Sequence, residues 1–352
     1  MSQPKHYFER IAESGLGPVV EQPPVCLYLE VTNRCNLLCQ TCPRTFASVE
    51  RPADLSFEQF AHLVDQVPNL AQTVLQGVGE PTINRELTRM IRHLKARGVR
   101  VVFNTNATLL LPGSRLSREL IEAGPDECRV SLDAADGETY ELVRGLPKFD
   151  LVLNNVRELV RLKQELGAPL PRLSLWLVGL KETIHQLPDF VRLAHEVGID
   201  EVYLQRLVYF DDRHQGQGVA RAEQALFGAL GEEDERHIAR AEGLARELGV
   251  GLRASGATTP EESLARNGGG ETPWSHCRRP WTLMYITANG NVLPCCISPF
   301  VERDYDALIL GNAFEQPLSE IWNGERYRDF RARLLSDHPP HACEGCGVRW
   351  SL

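Results

Sequence analysis

Val25–Arg44 reads VCLYLEVTNRCNLLCQTCPR. Val25–Val31 is apolar apart from Glu30 and predicts a short buried strand. That strand runs into Cys35, Cys39 and Cys42, spaced C-x3-C-x2-C. Three thiolates this close can hold three corners of a cubane iron–sulfur cluster and leave one iron open, since a closed 4Fe-4S cluster takes four cysteines. An open coordination position separates a reactive metal centre from a structural one. On spacing alone, a zinc site or a degenerate ferredoxin-type loop is the alternative.

Working outward, strands and helices alternate. Helices are predicted over Ser56–Val67, Asn84–Arg97, Ser117–Ala123, Leu151–Leu166 and Leu187–Val197, several of them stopped by glycine. Strands are predicted over Thr73–Gln76, Val99–Asn104, Glu127–Leu132, Leu173–Val178 and Glu201–Leu207. Six strands alternating with helices imply parallel βαβ units, either in an open doubly wound sheet or in a curved, barrel-like one. Beyond residue 210 the rhythm is lost. Asp211–Gly218 reads as a loop, Glu232–Leu248 as a charged helix and residues 255–272 as a flexible linker. The expected organisation is an N-terminal extension (1–24), a βα unit (25–215), a helix and linker (216–272) and a cysteine-rich C-terminal domain (273–352).

The 352 residues carry a formal charge of −9, which gives no general pull toward nucleic acid or anionic lipid. No apolar run is long enough to span a membrane, and Met1–Val20 lacks the core of a signal peptide. A cytoplasmic protein is expected. Ten cysteines are many for that compartment, where clustered thiols bind metal or do redox chemistry rather than form disulfides. Cys26 and Cys128 fall in predicted strands and read as core residues.

TNRCNLLCQTCPR closely resembles the cluster loop of the radical S-adenosylmethionine (SAM) superfamily. The resemblance implies that Cys35, Cys39 and Cys42 ligate a 4Fe-4S cluster whose fourth iron is chelated by SAM. It also implies reductive cleavage of SAM to a 5′-deoxyadenosyl radical that takes a hydrogen atom from the substrate. The protein orients and shields that chemistry. Gly77-Val78-Gly79-Glu80-Pro81 looks like the family's Gly-Gly-Glu motif, with glycines for close backbone approach and a carboxylate for the SAM amine. Asn104-Thr-Asn106, Ser131-Leu-Asp133 and Arg144-Gly145 resemble positions near the ribose and carboxylate of SAM. Two departures stand out: Thr41 where an aromatic residue is common and Ala107 where glycine is common. The resemblance covers residues 25 to 210 and favours an α/β fold, a partial (β/α)6 TIM-like barrel with its site at the carboxyl ends of the strands.

Cys277, Cys295, Cys343 and Cys346 can complete the shell of a second, closed cluster, or of a structural zinc. The text around them resembles the SPASM and twitch auxiliary-cluster domains, in Cys277-Arg-Arg-Pro-Trp281, Asn289-Gly290 through Pro294-Cys295, and Leu310 through Trp322. With only six residues after Cys346, one auxiliary 4Fe-4S cluster is expected. Cys296 reads as a spare ligand or, preferably, a buried thiol. An auxiliary cluster beside a substrate radical implies electron transfer, hence two-electron oxidation of a small molecule such as a sugar or cyclitol alcohol. The alternatives are modification of a peptide, with 34 residues before Cys35 leaving little room for a leader-binding domain, and a non-catalytic electron carrier. Gln205, Arg206, His185 and Tyr209 lie near strand ends, and none is singled out as a base. The family implies a reduced ferredoxin or flavodoxin as electron donor. Nucleic acid is the least expected partner.

Overall fold

The structure is a computed structural model that describes residues 16–47, 49–210, 219–256, 258–265 and 273–346. Ten strands form one sheet: β1 (Cys26–Leu29), β2 (Gln72–Leu75), β3 (Arg100–Thr105), β4 (Glu127–Ser131), β5 (Arg172–Gly179), β6 (Glu201–Arg206), β7 (Gly251–Ala254), β8 (Leu283–Ile286), β9 (Asn291–Leu293) and β10 (Gly311–Asn312). Their spatial order is β10-β9-β8-β1-β2-β3-β4-β5-β6-β7. From β8 through to β7 every neighbouring pair is parallel, and β9 and β10 add an antiparallel edge.

Local sequence explains the elements. Ser56 and Gln59 form a reciprocal capping box at the head of helix Phe57–Asp65. Ser114 caps helix Arg115–Ala123, and Gly124, in the left-handed region, closes it. Along β1 successive side chains point to opposite faces. Leu27 and Leu29 join the main core that packs under the helices, while Cys26 joins Val74, Val102 and Leu283 in a separate inner cluster. The sheet curls around that inner face. Arg129 on β4 feels both Tyr28 on β1 and Tyr203 on β6, yet in a flat sheet β1 and β4 would stand about 14 Å apart, three strand spacings. Buried Glu127 binds Arg100, Arg129 and Arg172 at 2.8–3.2 Å, and Glu201 binds Arg172 and Arg253. These ion pairs fill the amino ends of the strands, so the carboxyl ends are left for a site.

The βα rhythm extends further than the sequence predicts. β7 and β8 lengthen the parallel run at either side of the expected six strands. The described part of the expected linker holds a short helix, Pro260–Leu264, capped by Thr259. The division near Pro273 also falls within one sheet, because β8 pairs with β1 in register from Cys26↔Leu283 to Leu29↔Ile286. Backbone pairing between segments so distant in sequence leaves no local signal. The described end of the N-terminal extension is tied to the C-terminal region: Trp281 Nε1 donates to Gly17 O, Arg331 Nη1 to Pro18 O and Trp322 Nε1 to Gln22 O. Asp211–Gly218 and residues 266–272 lie outside the described residues. Among the described residues, no helix is long and apolar enough to cross a membrane.

Candidate active site and auxiliary cluster site

The cysteine loop is pinned at both ends. Thr32 Oγ1 donates to Asp54 Oδ1 at 2.5 Å, and Asn33 exchanges hydrogen bonds with the backbone of Arg51 and Ala53 at 2.8 Å. Further along, Leu38 N and Gln40 N donate to the carbonyls of Arg144 and Val143. Those carbonyls end helix Gly137–Arg144, which the sequence reading did not anticipate; it is short and capped by Asp136. Cys42 then leads into a helical turn, Pro43–Phe46, and Thr45 Oγ1 donates to Cys39 O.

Cys35, Cys39 and Cys42 line one cavity at the carboxyl mouth of the barrel, together with Gly77, Gly79, Glu80, Asn106, Ser131 and Arg144. Every site residue expected of the first half of the chain therefore meets at one place. Burial pushes the Cys42 thiol up to about 12 and raises that of Cys35. Protons held this firmly leave when a metal takes the sulfur.

Four of those residues also hold the chain's own segments together. A Cβ on Gly77 would stand 2.2 Å from Glu30 Oε2, and one on Gly79 would stand 2.1 Å from Thr32 O. Both glycines are therefore required by the chain's own β1 and cysteine loop. Glu80 does not present a free carboxylate. It is buried and accepts from Thr82 N, Thr82 Oγ1, Thr105 Oγ1 and Asn106 N at 2.6–3.1 Å, so it braces the turn after β3. Burial nonetheless raises its pKa. The Asn106 amide is likewise engaged: Nδ2 donates to Asn36 Oδ1 and toward Cys35 Sγ, and Oδ1 accepts from Thr108.

The structure shows how Asp133 and Arg144, which follow the fourth strand, hold each other. Asp133, in the left-handed region at φ 65°, pairs with Arg144 Nη2 at 2.7 Å and accepts from Val178 N. Arg144 Nη1 also donates to Cys39 Sγ at 3.5 Å. Burial opposes the Arg144 charge, but Asp133 and Cys39 outweigh it and hold the pKa above its ordinary value. Among the described residues, Arg144 Nε and Asn104 Oδ1, on side chains that line the cavity, are buried without a hydrogen-bond partner. A group that offers both a carboxylate and amine or hydroxyl donors would satisfy them, and SAM is such a group. Gln205 and Arg206 line the cavity as well. His185 instead packs on His237, and Tyr209 on the apolar cluster of Val143, Leu180 and Leu207. Glu30, buried within β1's continuation, accepts from Val78 N, Tyr285 OH and Ala288 N and so joins the glycine loop to the C-terminal region. Burial pushes its pKa up to about 7.

Cys277, Cys295, Cys343 and Cys346 line a second cavity, walled by Trp274, Ile297, Val301, Leu308, Phe330 and Leu334. Arg279 is its charged lining residue. Cys296, expected as a buried thiol, is half-buried beside the set, and desolvation pushes its thiol up to about 11. Cys26 and Cys128 are core residues, as expected. Among the described residues, no three thiol, imidazole or carboxylate groups converge tightly enough to chelate a single ion.

Two thiol sets on one curled parallel sheet, one in a polar mouth and one in an apolar-walled pocket, are the build of a two-centre iron–sulfur enzyme. Comparison with known proteins gives the family. Residues 29–194 match the radical SAM superfamily, and residues 277–347 match SPASM, an iron–sulfur cluster-binding domain. The chain belongs to the radical SAM superfamily and carries a C-terminal SPASM domain. Its cofactors are SAM, a SAM-binding 4Fe-4S cluster and auxiliary 4Fe-4S iron–sulfur. Similar proteins include the tungsten-containing aldehyde ferredoxin oxidoreductase cofactor-modifying protein of Pyrococcus furiosus, 25% identical over 92% of this chain and 87% of that protein. The PqqA peptide cyclase of Xanthomonas campestris pv. campestris is 25% identical over 93% of this chain and 80% of the cyclase. Among solved structures, Streptococcus suis SuiB bound to S-adenosylmethionine superposes with a TM-score of 0.67 over 88% of this chain and 68% of SuiB; at 17% identity the likeness speaks for the fold.

Proposed function

We propose that this radical SAM enzyme carries out a two-electron oxidation in which the substrate's second electron leaves through the SPASM site. One observation carries the reading. The segment Cys295–Phe300 borders both cavities: Phe300 lines the first, while Cys295, Ile297 and Ser298 line the second. A substrate in the barrel mouth would be separated from the C-terminal thiols by this short wall.

In this reading Cys35, Cys39 and Cys42 hold the SAM-binding cluster, and Cys277, Cys295, Cys343 and Cys346 hold the auxiliary one. When bound, the first cluster and SAM supply a radical that removes a hydrogen atom. The chain's own residues do the rest. Arg144, kept charged by Asp133, and the Asn104 and Ser131 side chains meet the polar groups of SAM; Gly77 and Gly79 bring the backbone close. Glu80 and Asn106 act as positioning residues for that loop. Residues 25–215 and 273–352 serve as two lobes on a common sheet, and a reduced ferredoxin or flavodoxin supplies the first electron.

The substrate we propose is a peptide, presented through an apolar or aromatic side chain. The wall from β5, β6 and the C-terminal segment is Trp176, Leu177, Val178, Leu207, Val208 and Phe300, with Gln205 and Arg206 as its polar members. A sugar or cyclitol would want more hydrogen-bonding partners than the two on this wall, the other polar residues of the cavity being assigned to SAM in this reading. A full-length relative is a peptide cyclase, which supports the same choice. The test is incubation of the anaerobically reconstituted enzyme with SAM and dithionite. A mixture of synthetic peptides rich in Tyr, Trp and Val is compared with inositol and 2-deoxy sugars. Peptide products lighter by two hydrogens, formed in step with 5′-deoxyadenosine, are expected. Oxidation of the cyclitol or sugar alone would sink the peptide reading, and products with unchanged hydrogen count would sink the oxidation.

A further inference from the structure

Two arginines are deeply buried in the C-terminal lobe, and they are solvated differently. Arg331 leaves its Nη2 without a hydrogen-bond partner but is otherwise held by oxygen: its Nε donates to Pro280 O at 2.9 Å, and its Nη1 to Trp322 O at 2.7 Å and Pro18 O at 3.2 Å. Trp322 and Tyr327 sandwich the guanidinium, each ring centroid 4.2 Å away. Such contacts make a neutral cage suited to a structural cation.

Arg279 is only 3% exposed and has no such cage. Among the described residues the charged groups acting on it are thiols, not carboxylates, and its Nε has no hydrogen-bond partner. Its neighbours are sulfur. It lines the cavity of Cys277, Cys295, Cys343 and Cys346, and its charge also acts on Cys296. The preceding Arg278 turns the other way, donating to Ser275 O and Cys277 O at the surface. The turn Arg279–Thr282, with Pro280 in its first positions, sends one arginine in and one out. A buried, uncompensated guanidinium is costly, and neutral thiols do not balance it. Four thiolates around an iron–sulfur core would, because that assembly is a net anion and gains a further negative charge on accepting an electron.

We propose that Arg279 is the positioning residue that sets the electron affinity of the auxiliary cluster, by placing a fixed positive charge against its thiolates in a dry pocket. A low local dielectric makes that charge effective. The reduced cluster, the more negative form, gains most from it, so the charge favours capture of the substrate's electron. This rests on the reading that the four C-terminal thiols hold the auxiliary cluster.

The experiment isolates that cluster in protein with Cys35, Cys39 and Cys42 changed to Ala. Bound metal is then counted, and the midpoint potential is read by EPR-monitored redox titration, with Arg279 intact and as Arg279→Gln and Arg279→Lys. The expected result is about four irons in each and an equilibrium constant for reduction at least tenfold lower in Arg279→Gln, a shift of about 59 mV to more negative potential for one electron. Arg279→Lys should lie nearer the parent. An unmoved potential in Arg279→Gln, with iron retained, would overturn the proposal and leave the cluster assignment intact. Zinc in place of iron in the Arg279-intact protein would overturn the cluster assignment itself. If Arg279→Gln holds no iron, Arg279→Lys decides: iron restored supports the need for a positive charge, and iron lost there too would show that Arg279 serves only by shape.

Discussion

The two thiol sets are built in opposite ways. The N-terminal set lies at a strand mouth among polar groups: Asn106 and Arg144 reach Cys35 and Cys39, and behind them Glu80 and Asp133 are fully engaged with their own donors. The C-terminal set lies among Trp274, Val301, Leu308, Phe330 and Leu334, with Arg279 for charge. The difference matches two tasks. A centre that must admit a polar cofactor at an open iron needs a wet, hydrogen-bonding mouth. In the proposed reading, a centre that only takes and passes an electron is served by apolar surroundings. The same sheet carries both, and Glu30 ties the glycine loop of the first to β8 and the turn after it in the second.

The largest effect should come from removing thiols. Changing Cys35, Cys39 and Cys42 to Ala should lower the iron count from about eight to about four and abolish 5′-deoxyadenosine formation. Changing Cys343 and Cys346 to Ala should remove a similar amount of iron yet leave SAM cleavage running without oxidised product. Iron analysis and chromatography of 5′-deoxyadenosine separate the two, and loss of SAM cleavage in the second variant would erase the contrast.

The polar mouth can be broken without touching a cysteine. Asp133→Asn keeps a residue that tolerates the left-handed backbone but strips Arg144 of its counter-charge. Removing one partner of a buried ion pair costs about 3–5 kcal/mol, so the denaturant midpoint should fall accordingly. A change below about 1 kcal/mol would mean that Arg144 is less dependent on Asp133 than the geometry implies.

The tie between the regions should be sensitive to pH. The Glu30 carboxyl ionises near the ordinary 4.5 in the unfolded chain and at about 7 in the folded one. Between those values the folded state holds the extra proton, so stability falls as pH rises from about 4.5 to about 7 and is level on either side. At 1.36 kcal/mol per pH unit the full loss is about 3 kcal/mol. Glu30→Gln should abolish this part of the slope, as read from unfolding free energies at pH 5 and pH 8. An identical slope in the variant would remove Glu30 from the account.

The smallest effect sits beside the first cluster. Ala107 adopts φ 55° and is fully buried, so its methyl group is strained where glycine would not be. Ala107→Gly relieves about 1–2 kcal/mol of left-handed strain and gives up about 0.8 kcal/mol of methyl burial. A melting temperature slightly raised or unchanged is expected; a clear fall would show that the methyl's packing dominates.

Much of this molecule was legible in the chain itself. The strand-to-cysteine run at Val25–Cys42, the βα alternation and the four C-terminal cysteines are local patterns, carried by spacing and periodicity. Helix Glu232–Leu248 was predicted to the residue. What the chain could not show is what depends on partners far away in sequence. That Gly77 must lack a Cβ is decided by Glu30, and Gly79 by Thr32, each more than 40 residues earlier. Glu80 reads as a ligand for an amine until Thr105 and Asn106 are seen to occupy it. Arg278 and Arg279 are neighbours of identical type, and only the packing of the C-terminal lobe sends one to solvent and the other among the thiols. Periodicity and motif spacing are properties of short segments. Burial, charge compensation and β8's pairing with β1 arise only when distant segments exclude water together.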